Sequence, residues 1–94
     1  MRIILLKRAQ KDIAHAVDHL TKNDPPAIPG FSTAIYKSLT LIMNNPNVGR
    51  PVAGRPTRLW SMPNWPYVIP YRVKGDTVEV LRIWHTKRER PEEW

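Results

Sequence analysis

The sequence predicts an α+β fold: an N-terminal strand, a two-helix hairpin, then antiparallel strands forming one twisted sheet packed on the helices. Three observations predict it. Apolar residues recur at helical spacing between Ile13 and Ile42. They change to strand-like alternation between residues 58 and 85. The whole chain has 94 residues, room for one domain with one core shared by two layers.

The elements follow in order. Residues 2–7 (RIILLK) are a short apolar run flanked by charge and read as a strand buried between neighbours. From about Ala9 the period changes: Ile13, Ala14, Val17 and Leu20 mark one helix face, with Lys11, Asp12, Asp18 and Lys22 elsewhere on the wheel. Asn23-Asp24-Pro25-Pro26 stops that helix, because proline disfavours helical geometry in the residue before it. A turn over 25–28 leads to a second helix from about Pro29 to Asn44, with Phe31, Ala34, Ile35, Leu39 and Ile42 on its buried stripe. Asn45-Pro46 ends it, and 46–57 (PNVGRPVAGRPT), with its prolines and glycines, reads as a loop.

Strands are predicted at 58–62, 66–73 and 77–85, with Lys74-Gly75-Asp76 as a hairpin turn. A three-residue loop pairs Val73 with Thr77, Ile69 with Leu81 and Tyr67 with Ile83, keeping apolar residues opposite each other. The other face then carries Val68, Arg72, Val80, Arg82 and Trp84. A two-residue loop offers an Arg72–Glu79 pair instead but sets Ile69 against Arg82. A one-residue slip exchanges every side chain's face, so the apolar pairing favours the first register. Pro70 has no amide for a ladder and is expected at a solvent-facing position or a bulge.

Composition narrows the function. Fifteen Lys and Arg against eight Asp and Glu leave a net charge of +7, which suits polyanionic partners. The basic groups concentrate between Arg50 and Arg90. The chain has no cysteine, which excludes disulfides, thiolate zinc sites and a cysteine nucleophile. No apolar run reaches the ~18 residues of a membrane span, and a cytoplasmic protein is expected. No metal or other cofactor is expected. His15 and His19 stand at i, i+4 but lack a third ligand nearby in sequence and read as surface residues. His85, followed by Lys87 and Arg88, is the one candidate proton carrier near Arg72 and Arg82, which suit stabilisation of a phosphorane-like transition state. Trp60, Trp65, Trp84 and Trp94 interleave with arginines, and Trp60 and Trp84 read first as core.

The stretches PNVGRP at 46–51, YVIPYRV at 67–73 and VEVLRIWH at 78–85 resemble the RelE/ParE superfamily of toxins from type II toxin–antitoxin systems, most closely its ParE-like branch. The resemblance implies a toxin neutralised by a cognate acidic antitoxin in a toxin–antitoxin hetero-oligomer, with DNA gyrase as target. The alternative it implies is a RelE-like nuclease that cuts mRNA on the ribosome. That branch carries basic residues on the sheet face, to which Arg72 and Arg82 correspond, and adds a C-terminal Tyr or a Glu–His pair. Here no Tyr follows Trp84 and no Glu precedes Glu79; His85 alone matches. The residues expected to meet the target are Arg58, Arg82, Trp84, Lys87 and Arg88. Leu41 and Met43, off the buried stripe of the second helix, are expected to meet the antitoxin.

Overall fold

The change of period marks the passage from helix to sheet. The structure, a computed structural model, describes residues 1–90 and 94. Strand β1 (Arg2–Leu5) leads directly into helix α1 (Lys7–Asn23), a 3-10 turn follows at Pro25–Ala27, and helix α2 (Ile28–Asn44) completes the hairpin. Strands β2 (Arg50–Pro51), β3 (Thr57–Ser61), β4 (Tyr67–Lys74), β5 (Thr77–Val80) and β6 (Trp84–His85) follow among the described residues. The sheet order is β1-β5-β4-β3-β2, with β6 also on β4. All pairs are antiparallel except β1 with β5. The class is therefore the α+β one read from the sequence, with a mixed sheet.

Apolar stripes of both helices meet one face of that sheet. Ala9, Ala16, Phe31, Ile35 and Ile42 pack with Ile69, Tyr71, Val78, Val80 and Ile83. A smaller cluster of Leu59, Val68 and Trp84 forms on the opposite face, covered by Val52 and Trp94. Both faces of β4 are thus buried near its middle, which is why YVIPYRV is apolar at consecutive positions. Trp60 packs against the helix-side core and donates its indole N–H to Ser38 Oγ at 3.2 Å.

Two expectations need correction. The first concerns β1, which lies at the sheet edge and pairs with β5 alone. Its four residues are half-buried on one side and exposed on the other. Its apolar run reflects packing on the helices, and no second neighbour covers it.

The second concerns the register. Lys74 pairs with Thr77, Val73 with Val78 and Arg72 with Glu79, so the hairpin has the two-residue loop Gly75-Asp76. Gly75 has φ 63°, the left-handed first position that a type II′ turn requires. The Ile69–Arg82 mismatch that argued against this register never arises. Tyr71 pairs with Val80 and Val68 with Trp84, so residues 81–83 stand opposite only 69 and 70. This is a β-bulge with one extra residue on the second strand. Pro70 faces it, its carbonyl accepting the Leu81 N–H at 2.9 Å, so the missing proline amide falls where the ladder is already interrupted. The bulge sends Val80 and Ile83 into the helix-side core and Trp84 to the other face.

The Gly-Arg-Pro loop is held from below by Tyr71. Its hydroxyl donates to Pro46 O at 2.7 Å and accepts the Gly49 N–H at 2.8 Å. A Cβ at Gly49 would lie 2.7 Å from the Tyr71 ring, so the close approach demands glycine. The loop itself contains β2, a two-residue edge strand on which Pro51 needs no donor.

Candidate functional site

The bulge organises the basic end of the molecule around Trp84. The guanidinium carbons of Arg82 and Arg88 lie 4.7 and 4.3 Å from the centroid of its ring, cation–π geometry in both cases. The Trp84 indole N–H donates to Arg88 O at 3.2 Å, closing the turn after β6.

Arg82 reaches back to α1. Its Nε and Nη2 donate to the two carboxylate oxygens of Asp12 at 2.8 and 2.9 Å, and Ile83 N donates to Asp12 Oδ2 at 3.0 Å. Asp12 follows Ala9 and precedes Ala16 on the buried side of α1, so its assignment to the outer wheel is corrected: it sits at helical spacing with two alanines small enough to admit it. The Asp12 hydrogen bonds hold the Arg82 proton still more firmly than usual, against the opposing effect of burial. Arg82 therefore anchors the bulge to the helix.

Arg72 is paired too, its Nε donating to Glu79 Oε1 at 2.7 Å across the hairpin. Arg72 and Arg82 line one hollow, with Leu6, Lys7, Arg8 and Trp94. His85 lines another, between α1, β4 and the segment after β6, together with His15, His19, Tyr67 and Arg88. The three residues named as a catalytic set are thus divided between two hollows, and both arginines carry a carboxylate partner. Arg58 is also engaged, its Nη1 donating to Gly49 O at 2.8 Å and Asn47 O at 3.2 Å.

His85 packs edge-on against Tyr67, ring centroids 5.1 Å apart, and its Nδ1 accepts the Lys87 N–H at 3.1 Å. Burial pushes the Tyr67 phenol above its ordinary range, so it stays a neutral donor. Sequence distance hid the gathering of all three histidines: His15 and His19 arrive on α1 and His85 on the last strand. Among the described residues no three His, Asp or Glu side chains are placed to hold a metal ion, so the imidazoles line a wall and do not converge on a point.

The family model described as the ParE toxin of the type II toxin–antitoxin system parDE matches residues 3–90, nearly the whole chain. The chain belongs to the ParE toxin family. It is 33% identical over 90 residues to Toxin RelE1 of Caulobacter vibrioides, covering 94% of this chain and 96% of that one. It is 30% identical over 91 residues to the putative toxin Y4kP of Sinorhizobium fredii, covering 97% and 94% respectively. A solved structure from the chromosomal ParDE toxin–antitoxin system of P. aeruginosa superposes with a TM-score of 0.80 over 93% of this chain and 97% of its own, at 24% identity. That likeness establishes a shared fold.

In this ParE-family chain, α2 presents the other conspicuous surface. Leu41 lines an open hollow of about 820 Å³ with Ser32, Thr33, Tyr36, Lys37 and Thr40. Met43 lines a neighbouring one of about 340 Å³ with Ile3, Leu39 and Tyr36. Tyr36, 63% exposed, stands between the two. The sequence reading missed it, although a tyrosine one position past Ile35 on an otherwise buried stripe was the available signal. No helix is long and apolar enough to cross a membrane among the described residues.

Proposed function

We propose that this toxin acts as a ParE-like inhibitor of DNA gyrase in the cytoplasm, held inactive by a cognate acidic antitoxin that folds on its surface. The observation that supports a binding role over a catalytic one is the Arg82–Asp12 pair. It commits Arg82 to the fold and leaves His85 in a separate hollow from Arg72. Toxicity on this reading comes from contacts, and Lys87 and Arg88, beside Trp84, are the basic groups that make them. The antitoxin occupies the α2 face. Tyr36, Leu41 and Met43 supply apolar area there, Lys37 supplies positive charge, and the net charge of +7 steers an acidic chain toward it.

A RelE-like ribosome-dependent nuclease is the second reading, favoured by one observation: His15 and His19 share the His85 hollow and supply the second proton carrier that the linear sequence lacked. Separate pulse-labelling of DNA and protein synthesis after induction distinguishes the two. A gyrase inhibitor slows DNA synthesis first, with translation initially intact. Arrest of protein synthesis within minutes, or complete loss of toxicity in a folded His85→Gln variant, replaces it with the nuclease reading. Co-expression of the neighbouring reading frame restores growth and yields a complex; Leu41→Asp with Met43→Asp abolishes that rescue.

A further inference from the structure

The side of α2 that faces the turn between β3 and β4 forms a groove distinct from the basic end of the molecule. Gly30, Ala34, Lys37 and Leu41 recur at i, i+4, i+7 and i+11, one stripe of the helix. At about 1.5 Å per residue that stripe runs about 16 Å. Trp60 from β3 and Trp65 from the turn line the groove with it, and its volume is about 360 Å³.

Both indoles are held in place. The Trp60 N–H donates to Ser38 Oγ at 3.2 Å. Trp65 meets the Phe31 ring edge-on, centroids 5.3 Å apart, and a Cβ at Gly30 would stand 3.6 Å from its Cζ2. Met62-Pro63-Asn64-Trp65 turns back on itself, with the Trp65 N–H 3.5 Å from Met62 O and Asn64 at φ 65°. Proline and asparagine stand where a type II turn favours them. The walls are therefore set before anything binds, and little ordering is left for a partner to impose.

Among the described residues Lys37 is the one charged group lining this groove, and the one lining the Leu41 hollow beside it. No carboxylate of the described residues pairs with it. An apolar groove with one unpaired cation at its rim matches a large apolar side chain with an acid next to it. A second copy of this chain would bring its own net charge of +7 against Lys37, whereas an acidic chain brings the complement. The length of the stripe suits a stretch of polypeptide better than a single small molecule.

We infer that the Trp60–Trp65 groove is the anchor slot for the antitoxin. It takes a large apolar side chain of an acidic segment, whose neighbouring carboxylate meets Lys37. This rests on the reading of α2 as the antitoxin face, and it extends that face onto the β3–β4 turn.

The test titrates the purified toxin with the product of the neighbouring reading frame by calorimetry, with the indole N–H signals followed by NMR. The Trp60 and Trp65 signals are expected to move on the same isotherm as the heat. Gly30 lines this groove and not the Leu41 hollow, so Gly30→Leu fills the one without touching the other. It is expected to weaken binding about tenfold or more, with melting unchanged and growth arrest retained when it is expressed alone. Lys37→Gln also weakens binding and flattens its salt dependence. Because the chain has no cysteine, Pro63→Cys carrying a benzophenone label cross-links at one place. The expected partner residue is Leu, Ile, Phe or Trp, with Asp or Glu within one helical turn of it. Should Gly30→Leu melt early, the Lys37→Gln titration and the cross-link decide. Full affinity in Gly30→Leu, while Leu41→Asp with Met43→Asp breaks the complex, overturns the slot alone. Full affinity in both overturns the antitoxin face as well. A cross-link to a stretch without an acid, or to a second copy of the toxin, also overturns the slot.

Discussion

Arg82 and Arg88 lie on the same Trp84 ring, six positions apart in sequence, and their surroundings are opposite. Arg82 is 17% exposed, and the Asp12 carboxylate that grips it is 6% exposed. Arg88 is exposed, stacked on the Trp84 ring, and no carboxylate of the described residues pairs with it. Residue type is the same at the two positions, but Arg82 sits in the apolar run VLRIW and Arg88 in the charged run TKRER, and the partner that separates them comes from α1. A carboxylate seventy residues earlier claims one guanidinium and leaves the other. A count of positive charge therefore overstates the surface that can meet a polyanion, and among the described residues the surplus concentrates where no carboxylate pairs with it.

The contrast predicts a graded series. Asp12→Ala strands Arg82 in a largely dry corner and frees the Ile83 amide, costing about 3–5 kcal/mol in urea denaturation. Asp12→Leu combined with Arg82→Met recovers most of that loss; a double variant as unstable as the single one would break the comparison. Tyr71→Phe removes a hydroxyl that both donates and accepts, costing about 1–3 kcal/mol. Alkali tests the same residue. Burial raises the Tyr71 phenol despite the Gly49 N–H and the nearby Arg58 charge, and raises Tyr67 as well. Unfolded tyrosines ionise near pH 10, so the stability tied to these protonated phenols is present below that pH and falls as pH rises beyond it. The Tyr71→Phe variant shows a shallower alkaline decline. Glu79→Gln breaks the half-exposed Arg72 pair, whose arginine is 40% exposed, and costs at most about 1 kcal/mol. Arg88→Gln changes melting by less than about 0.5 kcal/mol. A larger loss there would make Arg88 structural like Arg82 and erase the distinction.

Much of the fold was legible because its period is strong. The helices, the break at Asn23–Pro26 and the sheet-forming last third follow from spacing and from proline. Register was not legible. Apolar pairing across the hairpin favoured the wrong loop length, because a bulge at 81–83 realigns the apolar residues after a two-residue turn. Pro70 was the local sign of that bulge. Asp12 was read as solvent-facing because a helical wheel assigns charge outward by default; only the partner on the bulge explains its burial. Arg88 and His85 were found from the basic run. Their company, His15 and His19, was invisible at a separation of some seventy positions.

That separation also governs when the molecule exists at all. β1 pairs with β5 in a parallel register that sets Ile3 beside Val78, and Asp12 waits for Arg82. Neither tie is local, and contacts so distant along the chain form late and slowly. At about 5–20 residues per second of synthesis, the first strand has been made some 4–15 s before its sheet neighbour β5. Until then α1 and α2 have no complete sheet to cover. A chain stopped short of residue 77 lacks β5, the Arg82 anchor and the histidine hollow together, so an interrupted synthesis yields no partial toxin. The N-terminal segment carries Arg2 and Lys7 at either end of its apolar run, charges of the kind that keep an unpaired strand from joining its own copies during that interval.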